Sequence, residues 1–434
     1  MALSSVLTAV FLLGALGLAV RRLPGVHPVT LWCASWAVVG TLFALDLLPY
    51  KPLGALTALL ICGATVAFAM GALYGERRGI NWIRSRRSHG PSARISTVAI
   101  ERAALTACAV AAAMLAAFIA QTASTYGLRD TLLVSADVRI GLGAGASSAT
   151  IKYLYPAIAG VALCSLAAAR QQTVKRRRVW LLLSAASVGS IYFATGRVTI
   201  VIAAAIALLA YWLGRGALPP ARRLVAGGVV LAALALTTML IIGELQGKTF
   251  GNSALQAVPS PFTEHEALEP LALPYEYASA SFGALNEQVA VSPTWGETQG
   301  CAVGNAACSL LQAAGVDVEP DPFVHGFTGP PLRWNLYTGL DLPIRDGGTA
   351  LALPIVALAG LAFGWLWSTA RGGSTFALVA YAISGPTLLF SGNQFGFVYP
   401  HILGAIAIAL LLLWMWRLVS LRAARSRPRS PLPA

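Results

Sequence analysis

Apolar and polar positions along this chain alternate in long blocks. Apolar runs fall at about residues 3–20, 29–48, 53–74, 103–121, 152–169, 179–194, 198–214, 224–243, 350–368, 374–391 and 400–419. Each approaches the roughly 20 residues that a helix needs to cross a hydrocarbon layer. From 244 to 349 the pattern changes: polar and aromatic residues dominate, and prolines interrupt at Pro259/Pro261, Pro293, Pro320/Pro322 and Pro330/Pro331. The pattern predicts an all-α fold, a polytopic transmembrane helical bundle of about eleven helices with one large extracytoplasmic loop. Its divisions are N-terminal transmembrane helices at 1–121, transmembrane helices with an external arginine hairpin at 122–243, the large loop at 244–349, C-terminal transmembrane helices at 350–419 and a basic tail at 420–434.

The charged residues orient these blocks. Arg21/Arg22, the arginines from Arg77 to Arg94, Arg170 with Lys175 to Arg178, Arg215/Arg222/Arg223, Arg371 and the tail arginines from Arg417 to Arg429 stand at alternate ends of successive runs. Basic ends face the cytoplasm, which predicts an N-terminus outside and a C-terminus inside. Apart from Glu76 and Glu101, nearly all acidic residues fall on the other side, with Asp46 just inside the membrane beside the turn Pro49-Tyr50-Lys51-Pro52. Asp46 reads as an interfacial carboxylate paired with Lys51 ahead of a catalytic group. The first run lacks a positive leader and precedes Arg21-Arg22, so it reads as an anchor rather than a cleaved signal.

Composition agrees with this picture. The chain is 57% hydrophobic and 11% charged, with a mean hydropathy of +0.69, far from the roughly 25% charged content of soluble domains. The net charge of +14 is therefore topological, and nucleic acid is not an expected partner; membrane lipids are, through anionic headgroups at the basic loops. Cys301 and Cys308 share the large loop on the oxidising side and form a candidate disulfide, whereas the other cysteines lie in predicted helices. The histidines are scattered and no metal site is expected. Gly71 and Gly75 make a small-xxx-small face, a packing device of membrane helices.

Candidate chemistry lies on the external side. In Ala194-Thr195-Gly196-Arg197 a lone arginine heads a tight turn between two apolar runs, against the charge bias, and needs an anionic partner; a lipid-linked diphosphate is the candidate. The segment 122–151 carries Arg129, Asp130, Asp137 and Arg139. The run from Tyr275 through Val289 predicts a helix with Tyr277, Phe282, Leu285 and Val289 on neighbouring turns. Near the end of the loop stand His325, Arg333-Trp334-Asn335-Leu336-Tyr337-Thr338 and Arg345-Asp346-Gly347-Gly348. Arginine there suits phosphate oxygens, and aromatic rings suit the apolar faces of sugars.

Thr195-Gly196-Arg197, the Tyr275 to Leu285 run, and Asn335-Leu336-Tyr337-Thr338 followed by Asp346-Gly347-Gly348 together resemble the oligosaccharide repeat-unit polymerases, the O-antigen polymerase or Wzy-like family, over about residues 150–370. That family carries a Gly/Ser-Arg turn, a large external loop and an Asn-x-Tyr-Thr stretch before an Asp-Phe-Gly-like helix start; this chain has Gly347 where the aromatic stands. The resemblance implies a GT-C-like membrane glycosyltransferase that joins glycan units carried on polyprenyl diphosphate at the outer face of a bacterial plasma (inner) membrane. No cofactor is implied. Arg197, then Arg345, Arg333 and Arg139, would hold the diphosphate; His325 would be the base, with Asp346 and Glu276 as alternatives. Tyr337, Asn335, Trp334 and Tyr277 would bind substrate. The partners implied are the polyprenyl-diphosphate-linked oligosaccharide and a chain-length regulator. Competing readings are an O-antigen-type ligase, a flippase or transporter of the same lipid-linked oligosaccharides, and a non-catalytic membrane scaffold. A transporter would carry charges through several helix interiors and often repeats, and neither is visible.

Overall fold

A computed structural model describes residues 3–87, 95–133, 138, 147–194, 197–216, 220–242, 258–291, 300–318, 338–394 and 396–425. Among these residues there is no β-strand. The helices are α1 (Leu3–Arg22), α2 (Pro28–Ala44), α3 (Ala55–Arg87), α4 (Thr97–Tyr126), α5 (Leu128–Leu133), α6 (Ser147–Arg170), α7 (Val174–Ser190), α8 (Arg197–Gly214) and α9 (Ala221–Thr237). They continue as α10 (Pro261–Glu264), α11 (Glu269–Val291), α12 (Asn305–Ala313), α13 (Asp341–Arg371), α14 (Thr375–Ser384) and α15 (Pro400–Arg425). Six described helical segments are long and apolar enough to cross a membrane: Leu3–Arg22, Ala55–Ser85, Thr97–Tyr126, Tyr153–Arg170, Asp341–Arg371 and Pro400–Arg422. Pro28–Ala44, Val198–Gly214 and Thr375–Phe390 are apolar but shorter.

The spans expose large apolar side chains such as Leu59, Met70, Leu358 and Leu411, as a surface bathed in lipid does. The apolar window of α6 is the exception at 83% buried, against 22–39% in the other spans. It forms the central post, packed on by α4, α7, α8 and α15. Small residues let neighbours approach it: a Cβ at Gly160 would lie 3.4 Å from the Cys108 sulfur.

The closest seam joins α3 to α13. Gly71, Gly75 and Gly79 on α3 face Gly360, Gly364 and Ser368 on α13, so that a methyl group at Gly71 would strike the Ala357 carbonyl and one at Gly364 the Ala72 carbonyl. The small-residue face legible at Gly71 and Gly75 thus finds its counterpart nearly three hundred residues away. Trp32 of α2 stacks on Phe68 of α3 with ring centroids 4.2 Å apart, and on Trp36 at 5.4 Å.

Side-chain contacts show that the basic clusters share one end of the bundle. There His27 lies 3.5 Å from Glu76, the Arg371 guanidinium lies over the Trp367 ring, Gln171 donates to Glu101 at 2.7 Å and Arg102 lies over Trp416. Glu76 and Glu101, the acidic residues that the sequence assigns to the basic side, are found on it. The opposite, loop end gathers the start of α1, the α2–α3 turn, α10 to α12 and the start of α13: Ser4 Oγ donates to the Leu53 carbonyl at 2.7 Å, and Tyr192 to the Leu133 carbonyl at 2.9 Å.

Candidate functional site at the loop end

Helix α11 is the organiser of the loop end. It bears the residues predicted to form a helix from Tyr275 to Val289, with Phe282, Leu285 and Val289 buried and Tyr277 half-buried. Tyr275, Ser279, Phe282 and Asn286 follow the spacing that places residues on one helix face, and all four grip α2 or the turn between α2 and α3. The Tyr275 hydroxyl donates to the Leu42 carbonyl at 2.6 Å and accepts from the Leu47 amide at 3.2 Å. Tyr50 shares a 2.8 Å hydrogen bond with Ser279. Phe282 packs between Trp36 and Phe43, and Asn286 accepts from the Gly54 amide and Thr57 hydroxyl while donating to the Pro52 carbonyl. Lys51 forms an ion pair with Glu287 at 2.7 Å, which corrects the pairing with Asp46 expected from sequence: α11 brings a carboxylate within closer reach.

Glu276 sits in this clasp, only 8% exposed. Desolvation pushes its carboxyl up to about 7, since burial penalises the charged form. Among the described residues none donates a hydrogen bond to it. Burial raises the pKa of the Tyr50 phenol, the Ser279 hydrogen bond partly opposes it, and the nearby Glu276 carboxylate adds to the rise.

A second polar group surrounds the start of α13. This helix begins at Asp341, earlier than the apolar run at 350 suggests, and breaks at Gly348, whose φ of 62° and ψ of −171° are essentially confined to glycine. The second glycine of Asp346-Gly347-Gly348 therefore separates a short extramembrane turn from the spanning part of the helix. Asp341 and Arg345, one turn apart, share a face of that turn. The buried Asp341 carboxylate accepts from Gln288 at 2.8 Å, and burial, with Asp341 as a lesser cause, raises the pKa of Tyr399 and keeps its phenol protonated. Asp346 accepts from the amides of Gly300 and Ala302 on Oδ1 and of Val303 on Oδ2, at 2.7–3.1 Å. Both of its oxygens thus secure the turn that the Cys301–Cys308 disulfide closes, an anchoring role more than that of a base. The disulfide expected from sequence is present.

The sequence-predicted residues do not form one cluster. Arg197 is the first residue of α8, at the loop end, and its side chain lies outside the described part. His325, Arg333, Trp334, Asn335, Tyr337 and Arg139 also lie outside the described residues. Glu276 and Tyr277 lie two turns into α11, while Arg345 and Asp346 lie near its C-terminal end, beyond Gln288. Twelve residues of helix separate Glu276 from Gln288, about 18 Å at 1.5 Å per residue.

Sequence reasoning missed Asp341, Gln288 and Tyr399. The four-residue spacing of Asp341 and Arg345 was a signal, as was the polar run Ser391-Gly392-Asn393-Gln394 between two apolar stretches, which meets α11 where Ser281 donates to the Gly392 carbonyl at 2.9 Å. Among the described residues, no three histidine, cysteine, aspartate or glutamate side chains gather to hold a metal ion. No family model, curated protein or solved structure matches the chain.

Proposed function

We propose that this chain is a membrane glycosyltransferase that polymerises polyprenyl-diphosphate-linked oligosaccharide repeat units into a surface polysaccharide at the extracytoplasmic face of a bacterial plasma membrane. In this reading about eleven helices span the bilayer, the N-terminus and the loop end face outward, and the basic end and C-terminus are cytoplasmic.

One observation carries the reading: Glu276, a nearly buried carboxylate with a proton affinity near neutrality, on a helix laid across the loop end. Polymerisation requires a group that accepts a proton at about pH 7 from an incoming sugar hydroxyl. As that oxygen bonds to the anomeric carbon of the second unit, the carbon–oxygen bond to its diphosphate breaks. The electron pair leaves with the diphosphate, and the hydroxyl proton passes to Glu276. The negative charge gathered on the leaving group is met by fixed guanidinium groups, Arg197 first, then Arg345, with Arg333 and Arg139 in the same role. Among the carboxylates proposed as base, Glu276 is preferred to Asp346, whose oxygens already accept backbone hydrogen bonds; His325 is the other proposed base.

The test is the size of the cell-surface glycan in a strain deleted for the gene and complemented with wild type, Glu276→Gln, Arg197→Ala or Arg345→Ala, each confirmed in the membrane. The expected result is single repeat units in the deletion, polymer with wild type, and none with Glu276→Gln or the arginine variants. Full polymer in the deletion strain ends the reading. Accumulation of lipid-linked units on the cytoplasmic side identifies a flippase instead, and polymer restored by Glu276→Gln removes Glu276 as the base.

A further inference from the structure

Where α4 crosses the central post α6, two cysteines that the proposed glycosyl transfer does not use meet inside the bundle. The Cys108 sulfur lies 3.4 Å from the Cys164 sulfur and 3.6 Å from the Ser187 hydroxyl of α7, and neither thiol is in a disulfide. We propose that Cys108 and Cys164 form a redox site within the bilayer, a dithiol that a lipid-soluble quinone oxidises to a disulfide, tying α4 to α6. Nothing in this site depends on the polymerase reading, since it stands on the contact of three helices.

The two helices already lie close enough to be joined. A Cβ on Gly160, one turn before Cys164, would stand 3.8 Å from the Cys108 amide nitrogen and 3.4 Å from its sulfur, so the α4 backbone rests almost directly on α6. A disulfide needs its sulfurs about 2.05 Å apart, about 1.4 Å nearer than they stand, a gap that side-chain rotation and a small helix shift close. The neighbouring buried positions of α4 are Ala104, Ala107 and Ala111. Packing along this seam is met by methyl groups, and the sulfur at 108 adds chemistry that a methyl group lacks.

Position decides which reactant reaches the pair. Cys108 is six residues from Arg102 on α4 and Cys164 six residues from Arg170 on α6, so both lie about 9 Å along their helices from the basic end at 1.5 Å per residue. That depth is inside the apolar spans Thr97–Tyr126 and Tyr153–Arg170, where no water accompanies a polar reagent. Cys164 is wholly buried and Cys108 half-buried. Leu105 and Ala112, one turn to either side of Cys108, are exposed, so Cys108 stands on the border between the α6 seam and the lipid-facing surface. The oxidant that meets it is one that dissolves in lipid.

The electron count fits a quinone. Cys108, the outer thiol, adds through sulfur to the quinone ring while its proton passes to a quinone oxygen. Ser187, whose hydroxyl can donate to or accept from that sulfur, is placed to relay the proton. The Cys164 sulfur then attacks the Cys108 sulfur: the sulfur–sulfur bond forms, the carbon–sulfur bond breaks with its electron pair returning to the ring, and the Cys164 proton completes the quinol. Two thiols lose two electrons and two protons in all, and the quinone gains both.

The experiment uses the full chain in lipid nanodiscs, first reduced with a membrane-permeant dithiol that is then removed. Decylubiquinone, whose fully substituted ring does not retain a thiol, is added to the lipid of one sample, and glutathione disulfide to the water of another. After unfolding and alkylation, peptide mapping follows the free and the cross-linked cysteines. With the quinone, alkylation of Cys108 and Cys164 should be lost together, a Cys108–Cys164 peptide should take its place, and one quinol should appear for each link. With glutathione disulfide both thiols should stay alkylatable. Cys108→Ala should leave Cys164 alkylatable in the presence of the quinone. Oxidation should also raise the denaturant midpoint of the wild type, and not that of Cys108→Ala, because a link between residues 56 apart restricts the unfolded chain. The proposal is overturned if the quinone yields no Cys108–Cys164 peptide, if glutathione disulfide yields it as readily, or if the oxidised and reduced chains unfold at the same midpoint.

Discussion

Two seams hold this molecule together by opposite means. Where α3 meets α13, glycines face glycines and serine, and almost nothing but backbone lies between the axes. Where α11 meets the α2–α3 turn, tyrosine, serine, phenylalanine and asparagine interlock. Lipid supplies no hydrophobic drive for helix association, so the first seam depends on close approach and dispersion. Water surrounds much of the second, where apolar burial is worth about 25 cal/mol per Å² and hydrogen bonds select the register. The first seam is therefore indifferent to pH; the second carries ionisable groups.

The largest expected effect breaks the first seam. Gly364→Leu places a branched side chain against the Ala72 backbone, which cannot move without separating the helices. The cost should exceed about 3 kcal/mol, beyond the usual range for overpacking. Unfolding in a detergent-to-denaturant titration, followed by tryptophan fluorescence, measures it; a midpoint equal to wild type would show that the two helices can part without cost. Phe282→Ala breaks the second seam instead. The loss should be about 3 kcal/mol, the lower end for truncating a buried phenylalanine, and should stay local. Hydrogen exchange is expected to accelerate in α11 and the 45–54 turn while α3 and α13 keep their protection. Equal acceleration in all of them would mean that the two seams are one cooperative unit.

This contrast also explains what was legible in the sequence. Long apolar runs reveal helices because the bilayer imposes a length on each segment separately. Gly71 and Gly75 advertised a close seam, but their partners Gly360 and Gly364 were concealed, since helix pairing is set by contacts far apart in the chain. Tyr277, Phe282, Leu285 and Val289 revealed α11 through their period. They did not reveal that Lys51 would be taken by Glu287, because which carboxylate arrives depends on the angle at which α11 crosses the turn. Asp346 looked chemical in sequence and serves as a backbone anchor; a carboxylate in a loop has the same appearance in either role. Glu276 had only its position in a polar loop to recommend it, and its burial is a product of the clasp.

The smallest expected effect sharpens the comparison by titrating the second seam alone. The folded-state carboxyl of Glu276 is raised from 4.5 to about 7, so between those values the folded chain holds a proton that the unfolded chain has released. Stability is then highest below about pH 4.5, falls as pH rises through the window, and levels off above about 7. Glu276→Gln, which stays neutral, should lack this slope and be more stable than wild type at pH 8 by roughly 1 to 3 kcal/mol, each pKa unit being worth about 1.4 kcal/mol. Below pH 4.5 the two proteins should unfold together. Denaturant midpoints across pH 4 to 8, with the difference between the two proteins as the readout, test this; parallel curves would mean that the carboxylate is solvated and that its burial costs nothing. A variant that is more stable at pH 8 and makes no polymer would separate the chemical role of Glu276 from any structural one, because a residue kept for stability would not be improved by its removal.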